Sequence, residues 1–122
     1  EHKKKPFRLM SDSEKEAAIE QDSSYGRIIC RCEQVTEAEV VEAIRRPIGA
    51  RTVDGVKRRT RAGMGRCQAG FCLPRVMEIL SRELNIPMTS VEKSNPNTEL
   101  ITGRWPEAIN PLIHEDRERQ VL

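Results

Sequence analysis

The four cysteines are the residues of this sequence whose type and spacing could do chemistry. They form two close pairs, Cys30-x-Cys32 and Cys67-x4-Cys72, with 34 residues between the pairs. Thiols in such pairs can ligate a soft metal ion, close a disulfide, or pack as small apolar side chains. The spacing therefore raises four alternatives, which are packing alone, disulfides, a zinc site and an iron–sulfur cluster.

The first two alternatives are disfavoured by the sequence around the cysteines. Packing alone does not account for two close pairs that are flanked by glycine and arginine. Disulfides fit poorly because two cysteines separated by one residue, such as Cys30 and Cys32, bridge each other only with strain. Nothing in the sequence suggests secretion, where disulfides persist. A metal site is therefore the favoured interpretation.

Zinc and iron–sulfur sites both take four thiolates. Zinc knuckles usually have Cys-x2-Cys to Cys-x4-Cys spacing, and Cys-x-Cys is less usual among them. A two-iron cluster spreads four thiolates over two iron atoms, so one close pair can serve each iron. The spacing favours the cluster and leaves zinc open.

Charge around the cysteines also favours a metal site. Residues 26–85 carry 12 basic and 7 acidic side chains, whereas the sections before and after them are net acidic. An anionic thiolate site is stabilised by positive charge, by a helix N-terminus and by backbone N–H groups that glycine lets approach closely. The flanking residues of these kinds are Arg27, Arg31, Arg66, Arg75, Gly63, Gly65 and Gly70. Because a four-thiolate zinc site is also anionic, this argument supports metal without choosing between the two metals.

Capping residues and apolar periodicity predict four helices. Ser11 with Glu14, and Thr36 with Glu39, are capping boxes, and Thr52 is an N-cap candidate. The predicted helices run over about residues 12–21, from Thr36 to about Arg46, from Thr52 to about Ala62, and from near Cys72 to the Asn85-Ile86-Pro87 stop. The last has an apolar stripe of Leu73, Val76, Met77, Leu80 and Leu84. The run Arg27-Ile28-Ile29 is too short to predict a strand.

Composition excludes several classes of protein. Of the 122 residues, 37% are hydrophobic and 33% charged, which allows only a modest core. There is no apolar run that could span a bilayer, no signal peptide and no nucleotide-binding or catalytic motif. The sequence does not begin with methionine. We therefore expect a domain from a longer protein.

A few remaining residues have ordinary explanations. His2, His114 and Trp105 lie outside the basic middle. We expect the histidines to be solvated, whereas Trp105 can anchor its arm or contact the parent enzyme. The basic run of residues 57–61 suggests nucleic-acid binding, but only four aromatic residues are present for base stacking. A metal-sensing regulator that binds nucleic acid is therefore disfavoured.

The run from Ile28 to Pro87 resembles a known family. It is similar to the [2Fe-2S]-binding domain of bacterioferritin-associated ferredoxin. It resembles most the version at the C-terminus of FAD-dependent oxidoreductases of the anaerobic glycerol-3-phosphate dehydrogenase type. The x4 spacing of the second cysteine pair matches that dehydrogenase-linked form. The residues that carry the resemblance are Cys30-Arg31-Cys32-Glu33, Val35-Thr36-Glu37, Arg58 to Gln68 and Gly70-Phe71-Cys72.

The resemblance implies a mainly α fold, with about three short helices in a compact BFD-like [2Fe-2S] domain. It implies that Cys30, Cys32, Cys67 and Cys72 are the cluster ligands. We expect the domain over residues 27–87, an N-terminal arm with a short helix over 1–26, and an extended C-terminal arm over 88–122. Ala69 stands where relatives often have glycine.

The resemblance also implies a function. We expect an electron-transfer domain that relays single electrons between a flavin and an acceptor protein or subunit. The parent chain is then an FAD-dependent, glycerol-3-phosphate dehydrogenase-like enzyme, and the substrate and FAD sites lie outside this sequence. A cytoplasmic location is expected, with membrane association only through a partner subunit. The alternative is a structural four-cysteine zinc site or subunit-docking module without redox activity.

Overall fold

The computed structural model describes residues 4–101. The predicted mainly helical fold is confirmed, with a small two-stranded sheet beside the helices. His2, His114 and Trp105 lie outside the described residues, as does most of the C-terminal arm. The regular elements are α1 (Asp12–Gln21), β1 (Ile28–Cys30), β2 (Val35–Thr36), α2 (Glu37–Arg45), α3 (Val53–Thr60) and α4 (Leu73–Leu84). Short 3-10 turns cover Phe7–Leu9, Ser23–Gly26 and Met88–Ser90.

The predicted helix starts are confirmed by their caps. The Ser11 and Thr36 hydroxyls accept hydrogen bonds from the third helical N–H of α1 and α2, and both capping boxes are complete. The Thr52 hydroxyl accepts from the Gly55 N–H at 3.0 Å and opens α3. Helix α3 ends two residues before the predicted Ala62, because Arg61 adopts the left-handed conformation with φ of 73°. The other three helices end within about one residue of the predicted positions, so α3 is the exception.

The sheet is an element that the sequence did not predict. Strand β1 pairs antiparallel with β2, with Ile28 opposite Thr36 and Cys30 opposite Val35, and an irregularity lies between these two pairs. Neither strand is long enough to show an alternating pattern. Their pairing turns the chain sharply between the first two cysteines and α2, and it fixes Cys30 at the edge of the core.

The core lies among α2, α3, α4 and the sheet. Val40, Val56 and Leu80 are fully buried at its centre. Ile79 is also buried, although it falls outside the predicted stripe of α4. Val91, which we assigned to the C-terminal arm, is fully buried in the same core. The N–H groups of Val53 and Asp54 donate hydrogen bonds to the carbonyls of residues 92 and 93, and these bonds hold the segment that follows Val91 against the start of α3.

Packing within the N-terminal arm centres on Phe7, the one buried side chain among residues 4–26. Helix α1 has no buried residue of its own. Phe7, by contrast, is buried and stacks on Tyr25 with 6.0 Å between the ring centroids. The Lys15 ammonium lies 5.4 Å from the centre of the same ring. Within residues 4–101, no helix has the length and the apolar character needed to cross a membrane.

A buried carboxylate joins the sheet to the last helix. Glu37 is only 7% exposed, and its carboxylate accepts hydrogen bonds from Arg27, which precedes β1, and from Arg82 of α4 at 3.0 Å. The hydrogen bond from Arg27, opposed by burial and aided by Arg82, holds the pKa of Glu37 below its ordinary value of 4.5. The charged form of Glu37 therefore stabilises the fold.

Replacing this carboxylate should weaken the fold in a pH-dependent way. Glu37→Gln is expected to lower the free energy of unfolding by about 2 kcal/mol at neutral pH, because two arginines lose a charged partner. The folded pKa lies below the unfolded one, so the stabilisation is complete above about pH 4.5 and disappears as the pH falls through the folded value. Urea unfolding of both proteins across this range measures the difference.

Glu42→Gln is the matched control for Glu37→Gln. Glu42 is more exposed and meets Lys4 only at 3.6 Å. Its replacement should change the free energy of unfolding by less than about 0.5 kcal/mol. Equal losses in the two variants would contradict the role given to Glu37, as would a Glu37→Gln loss that does not shrink as the pH falls below 4.5.

Candidate metal centre

All four cysteines line one cavity of about 620 Å³. Cys30 ends β1 and Cys32 lies in the turn that follows it. Cys67 lies in the loop between α3 and α4, and Cys72 is the N-cap residue of α4. Two segments that are far apart in the sequence thus meet at the end of α4 that carries its unpaired N–H groups.

The sulfur contacts join the two segments. The Sγ atoms of Cys32 and Cys67 lie 3.4 Å apart on the open side of the cavity. Cys30 and Cys72 are only 1% and 2% exposed, and they lie close enough on the inner side for the Cys30 thiol to contribute to the raised pKa of Cys72. The sequence grouped the cysteines within each segment. In the folded chain, each cysteine instead contacts one from the other segment.

The two pairs have different electrostatic surroundings. Burial, followed by the neighbouring Cys30 sulfur, raises the pKa of Cys72 to about 11. A hydrogen bond from Cys32, followed by the backbone N–H groups of Phe71, Gly70 and Ala69, lowers the pKa of Cys67. The Cys67 thiol is therefore easier to deprotonate than the Cys72 thiol.

The four thiols on one cavity suit a two-iron cluster. Such a cluster spreads four thiolates over two iron atoms, and the cavity brings together four cysteines from two separate segments.

The loops around the cavity leave no room for added side chains. A Cβ atom built on Gly65 would lie 2.0 Å from the Cβ of Cys32 and 3.1 Å from its sulfur. In the loop after Cys67, Gln68 and Ala69 both have positive φ, at 49° and 66°. That turn directs its backbone N–H groups at the Cys67 sulfur. The glycines beside the cysteines are predicted to let backbone N–H groups approach the thiolates. Gly70 does so, whereas Gly65 instead makes room for the Cys32 side chain.

The structure places three of the four predicted arginines at the cysteine cavity and the fourth elsewhere. Arg31, Arg66 and Arg75 line the cysteine cavity. Arg27 does not, because it pairs with Glu37 beside a neighbouring cavity. Phe71 also lines the cysteine cavity and is 86% exposed, a feature that the motif alone did not reveal. No sequence signal predicts exposure of a single aromatic residue.

The basic residues of α3 are partly used within the domain. The Arg59 guanidinium donates to the carbonyls of Ile48 and Gly55, and Arg61 pairs with Glu33 at 3.1 Å. Glu33 follows Cys32, so this ion pair ties the first cysteine segment to the end of α3. These contacts give the basic run a structural explanation.

Comparisons with known proteins identify similar sequences. Residues 28–82 match the family model of the BFD-like [2Fe-2S] binding domain. The chain is 57% identical over 97 residues to a glycerol 3-phosphate dehydrogenase of Caloramator mitchellensis, a match that covers 80% of this chain and 20% of that protein. It is 31% identical over 93 residues to one of the subunits of the anaerobic glycerol-3-phosphate dehydrogenase of Escherichia coli strain K12, covering 76% and 16%.

A shorter match extends the range of relatives. The chain is 48% identical over 46 residues to the hydrogen cyanide synthase subunit HcnB of Pseudomonas aeruginosa, covering 38% of this chain and 10% of that protein. The chain thus spans a fifth or less of the length of these relatives. No solved structure matches the chain significantly.

Proposed function

We propose that residues 28–82, which match the family model of the BFD-like [2Fe-2S] binding domain, form such a domain and that the chain is the iron–sulfur electron-transfer part of a dehydrogenase. Its proposed ligands are Cys30, Cys32, Cys67 and Cys72. The observation that carries the proposal is the meeting of these four thiols in two contacting pairs on one cavity. When bound, a [2Fe-2S] cluster supplies a centre that accepts and releases one electron at a time.

The chain's own residues suit this role in three ways. Cys30 and Cys72 are buried, so they hold one side of the proposed cluster site in the core, where water is excluded. The backbone N–H groups beside Cys67, together with the cavity arginines, offset negative charge at the thiolates. The exposed outer side leaves a short path to a partner. The protein thus sets potential and distance, whereas the redox chemistry belongs to the cofactor.

The whole protein's activity is a wider proposal. We infer that the parent enzyme is an FAD-dependent oxidoreductase acting on glycerol 3-phosphate, since two relatives carry that substrate in their names. Because this chain spans a fifth or less of those relatives, the flavin and substrate sites belong to sequence outside it. Its partners are then the flavin domain and an electron-acceptor protein or subunit. We propose a cytoplasmic location. The alternative is membrane association through a partner subunit.

Redox titration of the anaerobically purified chain tests the electron-transfer proposal. The visible absorption should bleach and return in a reversible one-electron step, and the reduced form should give the paramagnetic resonance signal of a half-integer spin. Cys32→Ser is the control and should lack both signals. An iron-containing chain that takes up no electron, or that loses its iron in a single cycle, would contradict the proposal.

A further inference from the structure

An aromatic side chain projects into solvent beside the cysteine cavity. Phe71 is 86% exposed, although the next residue, Cys72, is the buried N-cap of α4. Phe71 lines the same cavity as the four cysteines, so the residue lies beside the proposed cluster site. An exposed phenyl ring contributes little to folding, because its apolar surface stays in water. Its position suits contact with another molecule.

The charged side chains on this face are all of one sign. Arg31, Arg66 and Arg75 line the cavity with Phe71, and no acidic residue lines it. All three are exposed, and none forms an ion pair with another residue between positions 4 and 101. Of the nine other arginines between positions 4 and 101, four have a carboxylate partner, namely Arg27, Arg45, Arg61 and Arg82. The cavity face therefore carries three arginines without carboxylate partners beside an exposed phenyl ring.

We propose that this face, formed by Phe71 and the three arginines Arg31, Arg66 and Arg75, docks an acidic flavoprotein surface. The partner presents carboxylates around an apolar flavin edge, and Phe71 packs against that edge. The inference rests on the proposed electron-transfer function and adds the chemistry of the partner. Aromatic and arginine side chains are the residues that most often dominate the energy of such interfaces. Charge complementarity speeds the encounter, and it makes the rate depend on salt.

Reduced flavodoxin is a suitable probe, because it is an acidic protein that carries FMN. Mixing it with the oxidised, cluster-loaded chain in a stopped-flow instrument should bleach the cluster at a measurable second-order rate. The rate should fall about tenfold as salt rises from about 0.05 to 0.5 M, because surface charges are screened. Phe71→Ala should slow the reaction about tenfold, whereas Phe71→Tyr should keep most of the rate.

Arginine variants separate docking from a general effect of charge. Arg66→Gln and Arg75→Gln should each lower the flavodoxin rate and flatten its salt dependence. Arg58→Gln is the matched control, since Arg58 is exposed on α3 and does not line the cavity. It should leave the rate and its salt dependence unchanged.

The outcomes distinguish this inference from the proposed function. Dithionite should bleach the native chain and Phe71→Ala alike, which establishes an intact cluster in both. A native chain that dithionite does not bleach would overturn the electron-transfer function and the docking face together. If dithionite bleaches the native chain but Phe71→Ala reacts with flavodoxin at the native rate, the docking face alone is overturned. A flavodoxin rate that does not depend on salt would also overturn the docking face alone.

Discussion

Gly65→Ala is expected to abolish assembly of the cluster. The added Cβ would lie 2.0 Å from the Cβ of Cys32, far inside contact distance, and both atoms are fixed close to the backbone. Relief requires the turn after β1 or the loop before Cys67 to move, at a cost of about 3 kcal/mol. Movement of either segment separates Cys32 from Cys67. Iron bound per chain after anaerobic reconstitution should fall to well below a tenth of the native value, because each 1.4 kcal/mol already lowers an equilibrium constant about tenfold.

Gly26→Ala is the matched control for this steric argument. A Cβ on Gly26 would meet the Ile19 side chain at 3.7 Å, an ordinary van der Waals contact. This variant should bind as much iron as the native chain. Native iron content in Gly65→Ala would mean that Cys32 is not held where the structure has it.

Serine variants of the four cysteines are expected to lose the cluster but to differ in stability. A serine oxygen is a weaker ligand for iron than a cysteine thiolate, so each variant should hold less cluster and lack the native visible spectrum. Cys32 is exposed, and its replacement should leave the metal-free chain within about 0.5 kcal/mol of native stability. Cys30 is buried in the core, and a serine there should cost about 1–3 kcal/mol because it buries a hydroxyl.

Iron analysis and urea unfolding of the metal-free variants measure these two effects separately. Cys67→Ser should behave like Cys32→Ser, and Cys72→Ser like Cys30→Ser, since the contacts pair them in that way. A variant that kept a native spectrum would remove its cysteine from the ligand set. Equal stability losses at Cys30 and Cys32 would contradict the division into an inner and an outer pair.

The helices were predictable because their signals are local. Ser11, Thr36 and Thr52 cap their own helices through hydrogen bonds that span three residues. The apolar stripe of α4 likewise follows from helix geometry alone. The sheet was not predictable, because β1 and β2 are stabilised by pairing with each other and not by their own composition. The burial of Val91 also depends on tertiary packing.

The cysteine set was predictable from its spacing, whereas its arrangement was not. Sequence places Cys30 beside Cys32, yet the sharp turn between β1 and β2 directs the first thiol inward and the second outward. The steric role of Gly65 depends on how closely two distant segments approach. The exposure of Phe71 has the same origin, since only the assembled loop shows which side chain lacks a neighbour.

The most direct test of the central claim is a visible spectrum combined with iron, sulfide and zinc analysis of the chain purified without oxygen. Two thiol pairs on one cavity predict broad visible absorption that dithionite bleaches, with about two irons and two sulfides per chain. Colourless protein with about one zinc per chain would contradict the claim if anaerobic reconstitution with iron and sulfide also failed.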